Sequence, residues 1–203
     1  MVNNKDISTE EKILEAARKV FITKGLSGAR MQDIANGAGI NKALLHYYFR
    51  SKDKLFETIF QEASQQFIPR INEIMQSELP VFQKIETFCG EYISKILETP
   101  FIPLFIINEM NKHPHSFLQR MWGKNKPDLT KFVQQLEAEI KKGNIKKISP
   151  VHLIMHMMSL CIFPFIGKPI WQYVMEMDDL QFRNMMEQRK KEVPRFIIES
   201  IRN

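Results

Sequence analysis

Between Gly25 and Phe56 the chain gathers side chains that donate hydrogen bonds or carry positive charge: Arg30, Gln32, Lys42, His46, Tyr47, Tyr48, Arg50 and Lys52. Guanidinium, ammonium, amide, imidazole and phenol groups crowded into one short window suit a polyanion. Its phosphates take charge-assisted hydrogen bonds, and its base edges take directed ones. No nucleophile–base pair or carboxylate pair is evident in the sequence, which disfavours an enzyme. Residues 1–60 hold ten Lys and Arg against seven Asp and Glu, so any positive surface there must be local.

Two short helices are predicted to carry these donors, one over 30–37 and one from the capping residue Asn41 to about Phe49. They flank Gly37-Ala38-Gly39-Ile40, where a tight turn needs positive φ and Gly39 supplies it. Ala35 and Ala38 are small enough for the helices to cross closely, and Ile34, Ile40, Leu45 and Phe49 can form their joint core. This is the pattern of a helix-turn-helix, whose second helix enters the DNA major groove. An ordinary αα-corner in a helical enzyme has the same geometry; the clustered donors favour DNA.

Around the pair, helical punctuation is dense. Ser8 and Glu11 form a capping box for a helix over 9–24, with Ile13, Leu14, Ala17, Val20 and Phe21 on one face and Lys24-Gly25 as its stop. Ser51 can cap the next helix, in which Leu55, Phe56, Ile59, Phe60, Ala63 and Phe67 recur at three to four residues; Pro69 is predicted to kink or interrupt it. Further helices are predicted over 80–98, 103–112, 114–122, 127–142, 149–163 and 178–202, while 164–177 reads ambiguously. The fold class is all-α, with nine or ten helices.

Composition agrees. The chain has 203 residues, 44% of them apolar and 26% charged, with 8 Gly against 12 Met and 15 Phe. That is enough for a real core and favours helices over a turn-rich sandwich. The net charge of +6 favours a polyanionic partner only weakly. Cys89 and Cys161 sit far apart in apolar runs, as buried thiols of a reducing compartment do. The polar N-terminus is unlike a signal peptide. The longest apolar stretch, Val151–Ile166, is shorter than the ~20 residues that cross a bilayer. A cytoplasmic protein without a membrane partner is expected.

Ile34-Ala35, Ala38-Gly39-Ile40, Leu45, Tyr48-Phe49, Lys52-Asp53 and Leu55, in that order and spacing, resemble the N-terminal signature of the TetR family of transcriptional regulators. The close match covers about residues 9–56. The resemblance implies a three-helix helix-turn-helix DNA-binding domain, taken as 1–50, and a helical ligand-binding and dimerisation domain over 51–203. It also implies a homodimer on a palindromic double-stranded operator, acting as a repressor that an apolar small molecule releases. The last two long helices would make the dimer contact, and the helix from Ser51 would be the lever between ligand and DNA. Control by a protein partner is the alternative.

Carried over residue by residue, Lys42, Ala43 and Leu44 match positions that face bases at the start of the recognition helix. Gln32 matches a position that reaches bases or phosphates from the preceding helix, and Tyr47 one at a base edge or the backbone. His46, Tyr48 and Lys52 match positions that grip phosphate. Three departures stand out. His46 replaces the usual Tyr. Ala29 stands where Thr often caps the second helix, leaving Ser27 as a substitute cap. Leu44 often aligns with Thr, and an exposed Leu could touch a thymine methyl.

Outside this window, His113-Pro114-His115 and His152 with His156 have spacings that suggest metal. However, HLIMH lacks the Glu of a zinc-protease helix, so core or pocket histidines are expected, with no metal and no cofactor. Met155, Met157, Met158, Phe163 and Phe165 belong to an apolar interior. Phe88, Tyr92, Phe105, Trp122, His152 and Met155 are the candidates for lining a ligand pocket. Glu187, Arg189, Lys190 and Lys191 read as a solvated face of the last helix.

Overall fold

The computed structural model describes residues 8–112, 117–119, 122 and 126–203. His113 and His115 lie outside the described residues, as does part of the helix predicted over 114–122. The chain is all-α, and it divides into two compact units, Met1–Gln65 and Gln66–Asn203.

In the first unit, α1 (Thr9–Gly28) opens with the capping box: Glu11 N–H donates to the Ser8 hydroxyl, and Ser8 N–H to the Glu11 carboxylate. Gly25, at φ 66° and ψ 173°, bends the last turn, so the predicted stop is a kink inside α1. Then follow α2 (Met31–Ala38), α3 (Lys42–Tyr48) and α4 (Lys52–Gln76). Ile13, Ala17, Phe21, Ile34, Ala35, Leu45, Leu55 and Phe56 are all fully buried. The Phe21 and Phe56 rings meet edge-on with centroids 5.1 Å apart. Gly37 permits the close crossing of α1 and α2, since a Cβ there would stand 3.3 Å from that of Ala16. Pro69 does not interrupt α4, contrary to the local rule; the helix runs through it to Gln76.

The second unit contains α5 (Val81–Glu98), α6 (Ile102–Lys112), α7 (Thr130–Lys141), α8 (Pro150–Ile166), α9 (Lys168–Val174) and α10 (Asp179–Ile201). Pro150 takes the first position of α8 after Ser149, and Asp178 forms a capping box with Gln181 at the start of α10. Phe88, Cys89, Ile93, Leu153, Met157, Cys161, Phe182, Met186, Val193 and Ile197 form the core between α5, α8 and α10. The Cys89 thiol lies against Cys161; that hydrogen bond and burial push it above the usual thiol range. Lys84 is buried too, donating from Nζ to the Met75 carbonyl at 2.6 Å, and its burial lowers its pKa from the ordinary lysine value.

Helix α8 continues three residues past its predicted end, straight through Pro164. A proline in a helix leaves the carbonyl four residues earlier without its N–H donor. Here that carbonyl belongs to Leu160, and the Arg189 guanidinium on α10 donates to it from Nη2 at 2.8 Å. Arg189 is therefore half-buried and holds α10 to α8, rather than being part of a solvated face. Arg189→Met should cost about 1–3 kcal/mol by orphaning the Leu160 carbonyl. In a Pro164→Ala background, where a backbone N–H returns, the same change should cost less. A double-mutant cycle by urea denaturation measures the coupling; equal costs in both backgrounds would refute the compensation.

Candidate nucleic-acid interface

Gly39 ends α2 in the left-handed region, at φ 68° and ψ 31°, and its N–H donates back to Asn36. Two residues later the Asn41 side chain caps α3, accepting from Leu44 N–H at 2.8 Å. These two local devices fix the turn and the entry angle of α3. Within α3 only Leu45 is buried, wedged into the core shared with Ile34. Lys42, Ala43, Leu44, His46, Tyr47 and Tyr48 are all exposed. A helix held by one buried side chain offers most of its circumference to a partner.

Tyr47 is the extreme case at 81% exposed, and its ring meets that of Tyr48 edge-on at 5.6 Å. His46 Nδ1 lies 3.3 Å from the Arg50 carbonyl, which orients the imidazole at the end of α3. Gln32 is exposed on α2, and its amide Nε2 donates to Asn36 Oδ1 at 2.9 Å. No Asp or Glu occurs from Ile34 to Lys52, while Lys42, Arg50 and Lys52 do, so the stretch has the local positive charge that its domain lacks as a whole. Asp33, just before it, is paired with Lys24 at 2.9 Å, and Lys24 holds its carboxyl below the usual carboxylate range.

Lys52 faces inward more than its spacing suggests. Its Nζ donates to the Leu26 carbonyl at 2.7 Å and the Ala29 carbonyl at 3.1 Å. It thereby satisfies acceptors at the end of α1 and ties the start of α4 to the α1–α2 connection. One N–H remains for a phosphate. Lys52→Met should thus lower stability by about 1–2 kcal/mol and weaken binding to all DNA sequences alike. Unchanged stability in a thermal melt would reduce Lys52 to a surface cation. The missing cap at Ala29 is not replaced by Ser27, which lies in the last turn of α1. The N-cap of α2 is Arg30, which makes no side-chain cap bond.

The pocket candidates scatter. Phe88 and Tyr92 stand together, rings 5.3 Å apart, with Phe67 5.0 Å from Tyr92. Burial raises the Tyr92 phenol above its ordinary range. Phe105 pairs instead with Phe117 at 6.0 Å, and Trp122 is half-buried. His152 and Met155 do not line an interior: both are exposed on α8. Helix α8 is apolar nearly all round, so periodicity does not reveal its outer face. That outer face includes Val151, Met155, Ser159 and Phe163, one stripe at four-residue spacing. Beside it runs a groove of about 290 Å³ lined by Leu153, His156, Ser159, Leu160, Phe196 and Ile197, among others. Among the described residues no single helix is long and apolar enough to cross a membrane.

Comparison with known proteins places a family signature in this first unit. The family profile described as bacterial regulatory proteins, tetR family, matches residues 13–59. The HTH-type transcriptional regulator YhgD of Bacillus subtilis is 25% identical over 145 residues, 71% of this chain and 75% of its own length. The HTH-type transcriptional repressor NicS of Pseudomonas putida is 39% identical over 59 residues, 29% of this chain and 28% of NicS. Among solved structures, the regulator FadR from Bacillus subtilis, in complex with stearoyl-CoA, superposes with a TM-score of 0.60 at 16% identity. That match covers 94% of this chain and 98% of FadR.

Proposed function

We propose that the chain, whose residues 13–59 match the TetR-family profile and which resembles YhgD over 71% of its length, is a DNA-binding transcriptional regulator of that family, a homodimeric repressor of a palindromic operator. Its two α3 helices read the half-sites, and a small apolar effector releases it. The observation that carries this reading is the exposed face of α3, where Lys42, Ala43, Leu44 and Tyr47 are free to enter a major groove. Lys42 and Tyr47 give sequence preference; His46, Tyr48, Lys52 and Gln32 hold the backbone. Repression is supported by the similarity to NicS, a repressor 39% identical over 59 residues.

Dimerisation is supported by the outer faces of α8 and α10. Phe163 is 53% exposed and Phe196 65%, and the groove lies beside them. Large exposed apolar patches mark interfaces, and one helix-turn-helix reads only a few base pairs. Phe163→Glu with Phe196→Glu should halve the mass seen by light scattering at micromolar concentration and weaken operator binding. A wild-type monomer that still binds operator with full affinity would rule the dimer out.

An effector is supported by the fold shared with FadR, which was solved with stearoyl-CoA, and by the aromatic cluster of Phe67, Phe88 and Tyr92. Residues of both compact units share α4, the natural path for coupling. By linkage, an effector that weakens DNA binding must bind the operator complex more weakly than the free protein by the same factor, typically about 5–150-fold. Calorimetric titration of a long-chain acyl-CoA into the free protein and into its operator complex tests this. Equal affinities would exclude release by that ligand.

A further inference from the structure

His46 is the side chain of α3 whose grip on a phosphate depends on a proton. Its Nδ1 lies 3.3 Å from the Arg50 carbonyl oxygen. A carbonyl only accepts, so Nδ1 carries a hydrogen, and in the neutral ring Nε2 is left as a bare acceptor. Phosphate oxygens are acceptors too. We propose that His46 holds the DNA backbone only as an imidazolium, so that each subunit takes up one proton as it binds its half-site. The proposal rests on the reading of α3 as the recognition helix.

The surroundings of the ring leave that proton to the DNA. His46 is exposed, one helical turn after Lys42. Helix α3 packs against α2, where Arg30 is exposed at the start, Asp33 is paired with Lys24 of α1, and Gln32 donates to Asn36. At the start of α4, Lys52 Nζ is turned to the Leu26 and Ala29 carbonyls, and Asp53 beside it is exposed. Lys42 and Arg50, the nearest charges in the chain, are cations, and Tyr47 and Tyr48 bring phenols. No carboxylate among the described residues forms an ion pair with the ring. A DNA phosphate is therefore the first negative charge to meet it, and it favours the charged form over the neutral one.

The sign of the effect follows. Imidazole is the side chain that changes charge between about pH 5 and 8, a range in which ammonium and phenol donors keep their protons. The DNA-bound protein holds more protons than the free protein, so operator affinity rises as pH falls through that range and levels off below it. The imidazolium also displaces a counterion from the duplex, which steepens the salt dependence in acid by about one ion per subunit. A neutral ring would do neither. Its Nε2 could only accept, from the amino group of an adenine or a cytosine edge.

The probe is the inverted repeat that the full-length protein selects from a randomised duplex library. Its affinity for wild type and His46→Tyr would be followed by fluorescence anisotropy across that pH range, with thermal melts checking that both stay folded. Wild-type affinity should fall more than about tenfold from the acid end to the alkaline end. Calorimetry in two buffers of different ionisation enthalpy should read one proton taken up per subunit in the middle of the range. His46→Tyr puts a phenol donor in place of the imidazole, so its affinity should stay level with pH and its proton uptake should vanish. A pH slope that persists in His46→Tyr would assign the proton to another group, such as His152 or His156, and overturn the proposal. Level wild-type affinity would overturn it as well; if His46→Tyr then changed the selected sequence, the neutral ring would be accepting from a base. Selection of no duplex at any pH would instead bring down the reading of α3 itself, and the proposal with it.

Discussion

Lys42→Ala is expected to lower operator affinity by roughly 30- to 25,000-fold while leaving the protein as stable as wild type. A side chain that reads a base edge contributes about 1–3 kcal/mol of discrimination. A two-fold dimer loses it at both half-sites, or about 2–6 kcal/mol in total. Lys42 is exposed and outside the core, so its effect on folding should stay within about 0.5 kcal/mol. Tyr47→Ala should behave the same way, its ring being almost wholly in solvent. Fluorescence anisotropy on the operator and on a scrambled duplex separates preference from plain affinity. An equal loss on both duplexes would move Lys42 from the bases to the phosphates.

Phe56→Ala should have the opposite signature, destabilising first and losing DNA binding as a consequence. Phe56 is fully buried and meets Phe21 edge-on. Truncating a buried Phe removes its transfer free energy and leaves a cavity, together about 3–5 kcal/mol. Whole domains are stable by only about 5–15 kcal/mol, so a unit of this size has little reserve. Urea denaturation should show a lower midpoint, with operator affinity recovering on cooling or on addition of excess operator. A midpoint within experimental error of wild type would mean that the α1–α4 contact does not hold the first unit together.

What could be read from the sequence was local. The capping box at Ser8, the left-handed turn at Gly39 and the Asn41 cap each depend on residues within four positions, and each lies where spacing puts it. Leu45 and Phe56 are buried because helical periodicity singles them out. Features that depend on distant partners were hidden. Lys52 looks like one more cation in a basic window, but the carbonyls it satisfies lie 23 and 26 residues earlier. Pro164 looks like a helix end because the rule for proline considers only its own helix, and the donor that compensates comes from Arg189. The outer side of α8 was hidden for a different reason. Its apolar residues occur all round, so only the packing of Leu153, Met157 and Cys161 into the core decides that His152, Met155 and His156 face out.

The most direct test of a sequence-reading regulator is selection of duplexes from a randomised DNA library by the purified full-length protein, repeated with Lys42→Ala. Wild type should enrich an inverted repeat whose half-site centres lie one helical turn, about 34–36 Å, or a multiple of it apart. Lys42→Ala should enrich a site degenerate at one step in each half. Enrichment of no sequence by the wild type, or of the same fully specified site by both proteins, would contradict the assignment of α3 as the helix that reads DNA.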